Sequence, residues 1–256
     1  MLCNFFRNFS IRRADVGLIL LVGLYVLAGY GIAYRYNALH FFNPVMYIST
    51  GIEFTNTLIL CYVLCWAAWA FAIMIFVRPP SLKDYLWQNL QAGALKKERY
   101  FKALPVFVTC IFLLSTFTSL KVMIPYVHPF TWDTVFADLD YALHGGHDAW
   151  VILHPLLGSP PVTFLINVVY NFWLLVLYLG LYWQLFSLRD PHTRMQFFYT
   201  LTLSWAVNGS FMAMIFSSGG PCYYLDITGI DRFEPLMEYL RSIGSEDSPL
   251  WALVNQ

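Results

Sequence analysis

A chain of 256 residues that is 59% hydrophobic and only 12% charged carries about half the charge of an ordinary soluble domain, where roughly 25% is usual. Its 15 Lys and Arg balance its 15 Asp and Glu, which excludes the strongly basic surface that a nucleic-acid or polyanion partner needs. Several apolar runs of about 20 residues point instead to an all-α integral membrane protein that sits among membrane lipids.

Residues 1–15 carry Arg7, Arg12 and Arg13 ahead of a first apolar run at about 16–33. That run is long for the apolar core of a signal peptide, and Gly31-Ile32-Ala33-Tyr34-Arg35 is a poor cleavage site, so an uncleaved first span is expected. Residues 34–53 read as a loop with Arg35, His40, Pro44 and Glu53. A second span is expected at about 54–77, closed by Arg78-Pro79-Pro80. Ser81 with Asp84 three residues later has the pattern of a capping box. Leu82, Tyr85, Leu86 and Leu90 then fall on one face, which predicts a short amphipathic helix on the membrane surface. Lys96, Lys97, Arg99 and Lys102 follow as a basic cluster suited to anionic headgroups.

A third span at about 103–120 ends on Lys121, the only Lys or Arg between Lys102 and Arg189. A lone cation at a helix rim is either a snorkelling anchor or a site for an anionic headgroup. Pro125, His128 and Pro129 are expected to stop the helix and set a turn just beyond it. Val135, Phe136, Leu139 and Leu143 repeat at helical spacing, and Gly145-Gly146 should close that helix. Asp140, His144, His147 and Asp148 resemble a metal-ligand spacing, but the glycine pair interrupts it. The five cysteines (Cys3, Cys61, Cys65, Cys110, Cys222) show neither metal spacing nor a disulfide framework. No metal and no cofactor is therefore expected.

A fourth span is predicted at about 161–186, with Asn167, Tyr170 and Asn171 on one face turned toward other helices. A loop at 187–194 holds Arg189, Asp190, His192 and Arg194, and a fifth span follows at about 195–216 with Asn208 midway. Ser217-Ser218-Gly219-Gly220-Pro221-Cys222-Tyr223-Tyr224 comes next. Two glycines before a proline either cradle an anion on exposed N–H groups or simply end a helix. The remaining tail is polar and acidic.

If the N-terminus is cytosolic, the segments on that side carry 11 Lys and Arg against 4 on the other, while the acidic residues divide 4 to 11 the opposite way. This positive-inside bias places the N-terminus in the cytosol and the C-terminus outside a plasma membrane. One membrane domain over 1–256 is expected. No Ser-His-Asp set with a nucleophile turn and no phosphate-binding glycine loop occurs.

Lys121-x6-His128-Pro129 differs by one residue from the Lys-x6-Arg-Pro signature of the type 2 phosphatidic acid phosphatase superfamily. Together, "KVMIPYVHPFTWD", "DLDYALHGG" and "SSGGPCYY" resemble the bacterial branch that groups with inositol phosphorylceramide synthases, whose plasma-membrane site is the bacterial inner membrane. The similarity covers roughly residues 55–256. It implies a lipid phosphatase or phosphotransferase in which a histidine takes a phosphoryl group from a lipid donor. A second histidine with an aspartate would act as acid and base, water or an alcohol such as inositol would accept, and no metal would be needed. Lys121 then corresponds to a phosphate-binding cation, His128 stands where the family has arginine, and Gly220, Pro221 and Tyr223 form a wall of the phosphate site. The family's Pro-Ser-x-His and His-x3-Asp motifs have no counterpart here, so no catalytic residue carries over. The resemblance thus implies an N-terminal portion that is inactive alone and leaves open whether the chain is an enzyme. The alternative is a non-enzymatic helical bundle that binds a lipid headgroup or a partner protein. A transporter is disfavoured by the lack of midplane charges and of inverted repeats.

Overall fold

The structure is a computed structural model that describes residues 13–93, 95–188 and 190–243. Cys3, Arg7, Arg12, Arg189 and the tail from 244 onward lie outside the described residues. All regular structure among the described residues is helical. The long helices are α1 (Arg13–Arg35), α2 (Ile48–Phe76), α4 (Lys97–Val127), α7 (Pro160–Phe186) and α8 (Pro191–Ala206). Shorter ones are α3 (Leu82–Ala92), α5 (Asp133–Leu143), α6 (Ala149–Leu157), α9 (Ala213–Ile215), α10 (Tyr224–Thr228) and α11 (Glu234–Ile243). The helices that contain four of the five expected spans (α1, α2, α4 and α7) are long and apolar enough to cross a membrane. In α2 and α7 the most apolar 18-residue window has no buried residue. An apolar surface of that length, with every backbone group tied up inside the helix, is what hydrocarbon solvates and water does not.

The chain divides into two compact units, one of 1–122 with 183–206 and one of 123–182 with 207–256. In the first, α1 has Asp15 in its first turn and Arg35 in its last, each at the end of the helix dipole that favours its charge. Its Gly29 stands where a Cβ would come within 3.0 Å of both Phe42 and Thr116, so the small residue lets α1 approach α4. The apolar core there includes Leu18, Val22, Leu113, Leu120 and Phe198. On α4 the buried hydroxyls form a ladder. Ser119 Oγ accepts from the Asn43 N–H at 3.0 Å and Ser115 Oγ from the Tyr47 N–H at 3.0 Å. These bonds hold the chain as it enters α2, where backbone donors have no helical partner of their own. The surface helix predicted after Arg78 is present as α3, with Ser81 at its N-cap accepting from the Asp84 N–H.

Four expectations need correction. Lys121 does not end its helix. α4 runs through Pro125 to Val127 and ends just before His128-Pro129, so Pro125 falls in its last turn, where few helical bonds follow, and Pro129 disfavours helix at His128. The predicted loop 34–53 is shorter, since α2 already begins at Ile48 and takes in Glu53. Arg194 is not a loop cation. It lies in α8 and is 3% exposed. Its guanidinium donates to the carbonyls of Lys102 (2.9 Å) and Gln184 (3.1 Å) and lies 3.7 Å from buried Asp15. A buried guanidinium survives only when its donors are satisfied in this way. Finally, the fifth predicted span is helical as far as Ile215 but not α-helical throughout, as α8 passes at Ala206 into a π-helical turn, Val207–Met212, that leads directly into α9.

The second unit is built from helices that sit close to chain turns. α5 occupies the predicted stretch and ends as expected. His144 caps it, Gly145 and Gly146 take φ of +67° and +84°, and the Gly146 N–H returns to the Tyr141 carbonyl at 2.9 Å. That left-handed closure is open to glycine and costly for other residues. α11 packs its apolar side inward, and Tyr239 meets the His154 ring edge-on at 4.6 Å and shares a hydrogen bond with Thr163 of α7. On α7, Asn171 donates to the Asn167 carbonyl at 2.9 Å, and Tyr170 is exposed.

Candidate functional site in the second unit

Two of the sequence segments singled out above come together inside the second unit. The "HPFTWD" turn meets the "SSGGP" turn through Asp133, the first residue of α5. The Trp132 N–H donates to the Ser217 carbonyl at 3.2 Å. The Asp133 carboxylate, 4% exposed, then accepts from the Ser218 hydroxyl (2.7 Å), the Gly220 N–H (2.8 Å) and the Gly219 N–H (3.1 Å). Trp132 stacks edge-on against Phe216 with ring centres 4.9 Å apart and covers the join. Three neutral donors satisfy the acceptor sites of this buried carboxylate without supplying a countercharge.

The glycine turn therefore has the local geometry of an anion cradle, with Asp133 as the anion it holds. Gly220 sits at φ +76°, ψ −177°, a region that is essentially reserved for glycine. A Cβ added there would touch nothing within 4 Å, so any penalty is conformational alone. Gly220→Ala is expected to lower stability by about 1–3 kcal/mol. Gly23→Ala in α1, where a Cβ also meets nothing, should be neutral or stabilising by up to about 1 kcal/mol. Apparent unfolding temperatures of both variants in one detergent check the contrast.

Pro221 and Tyr223 form a short 3-10 turn directly after Gly220, and Tyr223 is exposed. His128 is half-buried, and its Nδ1 lies 3.0 Å from the Pro129 carbonyl. Lys121 belongs to the first unit; it is exposed and makes no ion pair among the described residues. The metal-like foursome is divided. His144 Nδ1 stands 3.2 Å from Asp140 Oδ1, and Asp148 is taken by Arg232.

Arg232 is the residue that sequence reasoning missed. It donates to Asp148 at 2.8 Å through Nε, to Asp138 at 2.8 Å through Nη1 and to the Ala137 carbonyl at 2.9 Å through Nη2. It also lies 5.2 Å from the Tyr141 ring centre. Asp148 first, then Asp138, holds the guanidinium more firmly protonated than an ordinary arginine. One arginine thus ties α5, the loop before α6 and the segment before α11. Its only sequence signal was its place in an acidic tail with one other Arg before residue 244.

Between α5, α6, the glycine turn and the start of α10 lies a cavity of about 440 Å³. Asp133, Phe136, Ala137 and Asp140 of α5 line it at i, i+3, i+4 and i+7, a single helix face. Trp150, Ser218, Gly220, Pro221, Tyr224 and Phe233 complete the wall, with Leu236 and Ala149. Its size is that of a small-molecule site.

The chain was compared with protein-family models, with curated proteins and with solved structures, and none of the three comparisons returned a match.

Proposed function

We propose that this chain is a membrane lipid phosphatase- or phosphotransferase-like protein that binds a lipid phosphate headgroup without turning it over by itself. Five membrane crossings, with α8 and the turn after it as the fifth, put the N-terminus in the cytosol and the glycine turn outside a bacterial plasma membrane. The observation that carries the proposal is the Asp133 junction. Two segments about 85 residues apart, each resembling a phosphatase motif, are joined by three hydrogen bonds to one carboxylate. Lys121, in the first unit, is the candidate for the phosphate-binding charge; in the second unit His128 is the candidate for a further donor, and Gly220, Pro221 and Tyr223 are candidates for a wall. Neutral histidine cannot form the bidentate clamp of arginine, so binding rests mainly on Lys121. A phosphoryl-accepting histidine would need a Pro-Ser-x-His turn, and the sequence holds none.

The test uses the purified chain in nanodiscs that contain phosphatidic acid or phosphatidylcholine. Phosphatidic acid is expected to be enriched around the wild type. Lys121→Ala should weaken that preference about 10- to 100-fold, the worth of one charge-assisted hydrogen bond. Phosphate release should stay at background in both. Equal retention of phosphatidic acid by the Lys121→Ala variant would remove the phosphate reading.

A second reading, a non-enzymatic bundle that binds a different headgroup, is favoured by one observation. The amides that a phosphate would use are already given to Asp133.

A further inference from the structure

The geometry points to the cavity at the α5 face as a site for a small organic ammonium group, of the kind carried by choline or ethanolamine. This inference stands on the cavity alone and not on the phosphate reading. Four aromatic rings, Phe136, Trp150, Tyr224 and Phe233, share the wall with two carboxylates, Asp133 and Asp140, and no Lys, Arg or His lines it. Aromatic faces and fixed carboxylates together attract an alkylated ammonium, which keeps apolar methyl or methylene groups against the rings.

The surrounding charge has the same sign. The described part of the second unit carries eight carboxylates and two guanidinium groups. The nearest cation, Arg232, is already committed to Asp148, Asp138 and the Ala137 carbonyl. It shows the preference of this region at first hand, with its guanidinium 5.9 Å from the centre of the Phe233 ring. The three donors on Asp133 are neutral, so none of them offsets its carboxylate. Among the described residues, Asp140 is paired with His144, whose Nδ1 stands 3.2 Å from it.

Other ligands fit less well. An anion would face two carboxylates and no lining cation. A hard metal ion is held by oxygen ligands, whereas most of this wall is aromatic and apolar.

The experiment has two arms that separate the sources of this chemistry. In the first, the full chain in maltoside micelles is titrated with choline chloride and with tetramethylammonium chloride by calorimetry. Potassium chloride, glycerol and inorganic phosphate serve as controls. In the second, the chain is placed in phosphatidylglycerol nanodiscs doped with phosphatidylcholine or phosphatidylethanolamine, and retained lipid is read by native mass spectrometry. Saturable ammonium binding in either arm, weakened about tenfold by Asp140→Asn and by Trp150→Leu, supports the site. The first arm alone assigns a free amine and the second alone a lipid headgroup. Asp140→Asn leaves the Asp133 junction intact, so it remains informative if Trp150→Leu folds poorly. Absence of ammonium binding in both arms overturns the proposal. So does binding that Asp140→Asn leaves unchanged, or that potassium or phosphate matches. Lys121→Ala should leave ammonium binding as it is, which keeps a failure of this site separate from a failure of the phosphate reading.

Discussion

Arg232→Met is expected to destabilise the second unit by about 3 kcal/mol, the usual cost of stranding one partner of a mostly buried ion pair. Its side chain is 16% exposed and that of Asp148 is 15% exposed. Removal of the guanidinium leaves Asp148 with its charge, little water and no cation. Asp138 is 77% exposed, so its loss of a partner matters little. Two further variants separate charge from geometry. Arg232→Lys keeps the charge, but a compact ammonium cannot span Asp148, Asp138 and the Ala137 carbonyl at once. It should recover about half of the loss. Arg232→Met combined with Asp148→Asn removes the stranded charge and should be more stable than Arg232→Met alone, a non-additivity that a double-mutant cycle reads directly. Unfolding in detergent, followed by near-ultraviolet circular dichroism, measures the wild type, Arg232→Met, Arg232→Lys, Asp148→Asn and the double variant. If Arg232→Met matched the wild type, Arg232 would be a surface arginine of no structural weight.

The second large effect is expected at Asp133. Asp133→Ala takes the carboxylate acceptor from the Ser218 hydroxyl and the Gly219 and Gly220 N–H groups in a part-buried turn, and leaves the Gly220 N–H only its longer contact of 3.3 Å to the Ser218 hydroxyl oxygen. The combined loss should be about 3–4 kcal/mol, given roughly 1–3 kcal/mol for each unsatisfied buried group and some relief from entering water. Asp133→Asn retains one carbonyl oxygen, so it can hold some donors while its NH2 group repels another; about half of that loss is expected. Ser218→Ala removes a single donor and should cost about 1 kcal/mol. Amide hydrogen exchange gives the sharper readout. The Gly219 and Gly220 amides should be protected in the wild type and should exchange at least tenfold faster in Asp133→Asn. Unchanged protection there would mean that Asp133 does not hold the turn.

Several elements were legible because the information lies within one turn of helix. Ser81 and Asp84 announced the start of α3, and Gly145-Gly146 announced the end of α5. Cap and stop residues act on backbone groups three or four positions away, so sequence proximity and spatial proximity coincide. Lys121 shows where that logic stops. Its neighbour Pro125 signalled a helix end, yet α4 continues to Val127. Whether a proline ends a helix depends on what packs around it.

Arg194 and Arg232 were misjudged in opposite ways for one reason. Arg194 was counted among loop cations and lies buried against three carbonyls and Asp15. Arg232 was passed over in an acidic tail and gathers two carboxylates from residues 84 and 94 positions away. The candidate site divides similarly. The two motif turns were picked out separately, but their junction at Asp133 and the aromatic, acidic cavity beside it were not foreseen.

Hydrophobicity and helical period, which are sums over neighbours in the chain, were enough to give an all-helical protein with long apolar helices and a short capped surface helix. Which carboxylate each arginine holds, what anion fills the glycine turn and which side chains close the cavity depend on groups that lie roughly 80–95 positions apart in sequence. Such pairings are selected by packing geometry and by the cost of leaving a buried charge or donor unmet, and no local pattern of residues encodes that choice.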